Sequence, residues 1–154
     1  MRGAARVVDL KFKGHRFRPI VAEVERARLR AFFRAIGEKN PSVVEPDASG
    51  RIAIPPTYLF CLEMLDADNP LAFLEEIGVR TEQSLHADQT FSYRLPIYVG
   101  DRLTFNARVS DIFEKKNGLL TFVIQDVEVL NQDNQLVAEI RRTLVVKQKA
   151  LPFA

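Results

Sequence analysis

The chain has 154 residues, of which 47% are hydrophobic and 27% charged, with a formal net charge of +2. A chain of that length and composition is one globular domain with a sizeable core, which excludes disorder, and so small a charge excludes nucleic-acid binding on field strength alone. The single cysteine, Cys61, excludes an intramolecular disulfide and a cysteine-cluster metal site.

No window approaches the roughly 18 apolar residues of a membrane span, and the N-terminus lacks the apolar centre of a signal peptide. A cytoplasmic protein with no membrane partner is expected. Residues 1–15 read as an N-terminal tail, 16–148 as a single domain and 149–154 as a C-terminal tail.

Arg16–Val24 mixes charged and β-branched residues and predicts a first strand, with Pro19 marking an edge. From Glu25 the pattern changes. Leu29, Phe32, Phe33 and Ile36 recur at i, i+3, i+4 and i+7, with arginines 26, 28, 30 and 34 opposite, and Gly37 follows. That is an amphipathic helix with a stop signal, and its arginines form a solvated face. Glu38–Gly50 carries two prolines and few apolar residues and reads as a surface loop.

Pro55-Pro56-Thr57 leads into Tyr58–Leu65, a segment apolar on nearly all sides that predicts a central buried helix. Cys61 within it reads as a small core residue. Leu71–Ile77 predicts a second short helix closed by Gly78. Four strands then follow: Leu85–Leu95, Arg102–Glu114, Leu119–Leu130 and Leu136–Gln148. Leu103, Phe105, Ala107 and Val109 alternate with polar residues, Asn117-Gly118 signals a hairpin, and Leu119–Leu130 is apolar enough to be central. Hairpin-joined strands of this kind predict an antiparallel meander. The fold class is α+β, a sheet wrapped around the central apolar helix.

Several motifs carry a family resemblance in a consistent order over about residues 16 to 147. They are Val24-Glu-Arg26, AIGEKNP at Ala35–Pro41, IPPTYLF at Ile54–Phe60, LHADQTFSY at Leu85–Tyr93 and the Pro96…Gly100-Asp101 turn. Together they resemble the MaoC-like dehydratase family, in particular its N-terminal, FAS1-type dehydratase branch. The resemblance implies a hot-dog fold. It also implies (R)-specific hydration of an enoyl thioester, or dehydration of a 3-hydroxyacyl thioester, with no cofactor and no metal.

Active members of that family carry Gly-Asp-x-Asn-Pro-x-His, in which the Asp and His share a water and move its proton, a task needing two titratable groups. Here Gly37, Asn40 and Pro41 match, Glu38 stands for the Asp, and Val43 stands for the His. A carboxylate displaced by about 1 Å can cost on the order of 100-fold in rate, and valine cannot take a proton at all. The family also polarises the thioester carbonyl with amides at the start of the central helix. Pro55 and Pro56 occupy that turn and have no N–H to offer.

His86, with Gln89 in an H-x-x-Q spacing, is the remaining candidate base, read against a structural strand-end histidine. The resemblance thus assigns a degenerate catalytic set of Glu38, Asn40 and His86, and substrate contacts at Pro56, Thr57, Tyr58 and Gln89. Asp88 and Asp101 read as turn residues and not as a carboxylate pair.

The expected role is a subunit binding an acyl thioester of coenzyme A or an acyl-carrier protein, the non-catalytic half of a heterodimer with an intact MaoC-type subunit. Two alternatives stand beside it: a homodimeric hydratase or thioesterase using Glu38 and His86, and an acyl-CoA-binding module without chemistry.

Overall fold

The computed structural model describes residues 8–65 and 67–147, so residues 1–7 and 149–154 of the expected tails, and Gln148 at the end of the expected last strand, lie outside it. A five-stranded antiparallel sheet forms the body: β1 (Ile20–Glu23), β2 (Ser84–Tyr93), β3 (Arg102–Lys115), β4 (Leu120–Leu130) and β5 (Leu136–Lys147). Four helices accompany it: α1 (Arg26–Ile36), α2 (Pro41–Val44), α3 (Tyr58–Leu65) and α4 (Ala72–Glu76).

The strand order is β1-β3-β4-β5-β2, which corrects the expected four-strand meander. Strands β3, β4 and β5 do follow one another by hairpins, but β2 pairs with β5 at the far edge and not with β3. The connection from Arg94 to Asp101 is the reason. It crosses the end of the sheet, with Arg94 and Leu95 donating to the Val137 carbonyl, Val99 to Ile52, and Gly100 to Val24. Pro96 cannot donate within a hairpin ladder, and Ile97 instead accepts from Ile54 N–H at 3.0 Å. Gly100 makes the final bend at φ 94, a conformation that favours glycine.

The other edge is β1, as Pro19 predicts, but the strand is shorter than Arg16–Val24. Before Pro19 the chain meets β3 without a continuous ladder, through an isolated bridge between Arg16 and Arg108, bonds such as Gly14 N–H to Val109 at 2.8 Å, and an ion pair of Lys13 with Asp111. The segment from residue 8 is built into the body: Val8 is buried in the second apolar cluster, and His15 Nε2 pairs with Glu76 at 2.6 Å.

Alternation decides which side chains face inward. On β4, Thr121, Val123, Gln125, Val127 and Val129 are buried while their neighbours are only partly covered. The opposite face carries ion pairs: Arg141 meets Asp126 at 2.7 Å, holding its carboxyl below the ordinary range, and Arg94 meets Glu139 at 2.5 Å. Helix α3 lies on the inner face. Tyr58, Leu59 and Leu62 are wholly buried there with Phe105, Val129 and Ile140. The helix is not apolar-enclosed all round, because Leu65 is 60% exposed. Cys61 packs against this cluster, and burial pushes its thiol up.

Helix α1 ends as its sequence predicts, with Gly37 left-handed at φ 72 and its N–H on Arg34 O. Leu29 and Phe33 are buried, but Ile36, counted on the apolar face, is half exposed at the last turn.

Leu62 is 0% exposed and Leu65 60%, so the two leucines of α3 should respond very differently to truncation. Leu62→Ala is expected to lower stability by about 3 kcal/mol in urea denaturation, and Leu65→Ala by less than about 0.5 kcal/mol.

Candidate functional site

The expected loop after α1 contains structure of its own. Asn40 accepts from Ser42 N–H at 3.1 Å, capping α2, and Pro41 takes the first helical position. Glu38 accepts from Asn40 N–H at 2.7 Å. The carboxylate at the family's acid position is therefore engaged with its own loop. Val43, at the family's histidine position, packs with Val44 against the main core cluster. Glu38 lines a pocket of about 380 Å³ whose floor is Leu29, Phe33, Val44 and Ile52 and whose rim includes Arg26, Arg30 and Arg34. None of the other assigned site residues lines that pocket.

Pro56, Thr57 and Tyr58 form the turn into α3. Tyr58 N–H is bonded to Pro55 O at 3.0 Å, so the turn offers Thr57 as its one exposed residue with an amide. Tyr58 is fully buried, its ring 5.2 Å from that of Phe32. Pro56 offers its carbonyl to the hydroxyl of Tyr93 at the end of β2. This contact ties the start of α3 to the edge strand beside an open hollow of about 380 Å³ lined by Ile54, Pro56, Tyr93 and Leu95.

Strand β2 brings His86 and Gln89 to one face. Three residues apart, they would point to opposite sides of a regular strand. A bulge between His86 and Asp88 resets the count, so that His86 pairs with Leu144 and Gln89 with Arg142, both on the inward side of β5. The His86 ring lies 5.5 Å from Phe60 of α3 and remains exposed. It has no hydrogen-bond partner among the described residues, and its contact is with the Phe60 ring. Among the described residues no hydrogen bond joins Glu38 to His86, and His86 does not line the pocket at Glu38. Asp101 caps its turn, accepting from Tyr98 N–H at 2.8 Å, and Asp88 is exposed at the bulge.

The sequence reading missed the most buried charges. Glu63 of α3 and Arg142 of β5 form an ion pair, with side chains 4% and 3% exposed. Gln125 of β4 and Gln89 of β2 flank Arg142 on its two neighbouring strands. Arg142 Nε, Gln125 Oε1 and both amide atoms of Gln89 are buried without a protein partner. A buried polar atom left unmatched costs about 1–3 kcal/mol, which makes this row unusual. Two signals pointed to it: a lone Glu inside YLFCLEML, and an Arg at an inward alternation position between Ile140 and Leu144. Among the described residues no group of three or more potential metal ligands occurs, and no helix is long and apolar enough to cross a membrane.

Burial pushes the Tyr93 hydroxyl from its ordinary value of 10.0 up to about 12. Its contribution to stability is complete below pH 10 and is lost as the pH rises towards 12. Absorbance titration of the phenolates is expected to show a step near 12 that Tyr93→Phe removes, while the helix-to-strand contact at Pro56 persists through the neutral range.

Residues 11–140 match the FAS1-like dehydratase domain region. A curated relative described as a UPF0336 protein, from Streptomyces avermitilis, is 30% identical over 111 residues, covering 68% of this chain and 73% of that protein. Among solved structures, the C-terminally truncated HadBC (3R-hydroxyacyl-ACP dehydratase) complex from Mycobacterium tuberculosis aligns with a TM-score of 0.74 at 23% identity, over 90% of this chain and 98% of that one. The ChsH1-ChsH2 complex from the same organism aligns at 0.69 and 20% identity, over 90% and 88%. The sheet wrapped on α3 is therefore the hot-dog fold, and the chain belongs to the FAS1-like dehydratase domain family.

Proposed function

We propose that this chain binds an acyl thioester, of coenzyme A or an acyl-carrier protein, as the non-catalytic half of a heteromer with an intact MaoC-type subunit in the cytoplasm. The observation that carries the reading is Val43: the family's proton-accepting position holds an aliphatic side chain packed into the core, while Glu38 is spent on Asn40 N–H. Two of the structures similar to this chain are themselves complexes of two named subunits, HadBC and ChsH1-ChsH2.

Strand β2 supports an assembly of this kind. It pairs with β5 on one side only, so its other edge presents main-chain donors and acceptors for a further strand. Leu85, Tyr93 and Leu95 along or beside it are between 37% and 45% exposed. A partner strand there would cover the hollow at Pro56 and stand over His86 and Gln89. The substrate contacts at Pro56, Thr57 and Gln89, with Tyr58 packed beneath them, belong to this side of the molecule. The arginine-rimmed pocket at Glu38 is suited to an anionic group, such as a carrier phosphate.

Purified alone and assayed with a short enoyl-CoA, the chain is expected to show no hydration above the uncatalysed rate. Co-expressed with an intact Gly-Asp-x-Asn-Pro-x-His subunit, the complex should hydrate it, and Glu38→Gln or His86→Ala here should change kcat by less than about threefold. Turnover by the single chain, abolished by either substitution, would instead establish the self-sufficient homodimer. Thioester binding without turnover in any combination would leave a binding module.

A further inference from the structure

We propose that a slot between the chain at Phe17–Ile20 and the chain at Pro70–Phe73 binds a small neutral amphiphile whose polar end is a hydroxyl group. The outer part of the slot is a pocket of about 310 Å³ at the surface, lined by Phe17, Ile20, Pro70 and Phe73 among others. These four and Arg18 also line an inner cavity of about 40 Å³, which continues to Glu63, Gln125 and Arg142. The two spaces therefore adjoin through shared walls. Neither shares a residue with the pocket at Glu38 or the hollow at Pro56, so the slot is a separate space from both.

The inner end selects the chemistry. Gln125 Oε1 is an acceptor and Arg142 Nε a donor; both side chains are at most 3% exposed and both atoms lack a protein partner. Arg142 already has its counter-charge in Glu63. A carboxylate entering here would meet Glu63 and could not donate to Gln125. An ammonium would meet Arg142 and could not accept from it. A hydroxyl does both, donating to Gln125 Oε1 and accepting from Arg142 Nε–H. The cavity has room for such a group and little more, and the outer pocket, with Phe17, Ile20, Pro70 and Phe73, accepts the apolar tail.

The test reads the Arg142 Nε–H resonance in nitrogen-15 NMR of the full chain, titrated with 1-pentanol, pentanoate and pentylammonium. Pentanol should move the resonance saturably, and the two charged probes at equal concentration should not. Gln125→Leu should weaken pentanol binding by about tenfold, the scale of one lost hydrogen bond. Ala107→Leu, which fills the cavity from β3, should abolish it. A resonance that pentanol leaves unmoved would overturn the proposal. So would one that all three probes move alike, or pentanol binding unchanged in both variants. Should a variant not fold, the three probes on the natural chain decide alone.

Discussion

The rest of the structure depends on where α3 sits, and one interaction determines that: the buried pair of Glu63 and Arg142. The helix is Tyr-Leu-Phe-Cys-Leu-Glu-Met-Leu, so many rotations of it would bury similar apolar area against the sheet. Only one of them places Glu63 over Arg142. Either charge buried alone would be strongly unfavourable, and breaking such a pair typically costs about 3–5 kcal/mol, although an apolar replacement of both can be neutral. The pair therefore contributes a unique position more than it contributes stability. It also marks a polar row, Gln89–Arg142–Gln125, between the cluster holding Leu59, Phe105 and Ile140 and the cluster holding Val109, Val123 and Leu144.

With α3 fixed, the turn at Pro55-Pro56-Thr57 comes to the end of β2, where Tyr93 donates to the Pro56 carbonyl. The same placement brings Phe60 beside His86 and within 6.0 Å of the Arg142 guanidinium. The residues assigned from the sequence thereby fall in two places in this chain. Glu38 and Asn40 lie with α1 and α2, whereas His86, Gln89 and Pro56 gather around the open edge of the sheet. A second chain along β2 would bring further groups to that edge, which is why the proposed heteromer follows from the position of the residues as well as from the missing base.

Much of this was legible in the residues. The 3.6-residue period of Leu29, Phe32 and Phe33 with Gly37 behind it specified α1, and strict alternation from Leu103 to Val109 specified β3. The departures have local causes. The strand order was hidden because Arg94–Asp101 reads as a turn, and only its bonds to Val137, Ile52 and Val24 show it spanning the sheet. The short helix at Pro41 was hidden inside a proline-containing loop, although Asn-Pro is itself a cap followed by a first-turn residue. The bulge at Ala87 carries no sequence mark, yet it decides that His86 and Gln89 share a face. Ion pairs such as Glu63–Arg142 escape a pattern reading because each partner, taken alone, looks like a misplaced charge.

The AIGEKNP motif shows how little a surviving motif says about chemistry. Gly37 is needed at φ 72 to end α1. Asn40 is needed as the cap of α2, Pro41 fits its first position, and Glu38 satisfies an amide of the same loop. Each residue has a local structural reason to be there that makes no reference to a thioester. The position that distinguishes a working site from its scaffold is the one without such a reason in an active enzyme, the base. Here that position holds Val43, whose contacts with the core supply a structural reason of their own. A histidine at 43 would have to leave that apolar contact or desolvate its ring there, and burial disfavours the charged form a proton acceptor must pass through. The loop that holds the motif in place is thus adapted to an aliphatic residue where the reaction needs a base.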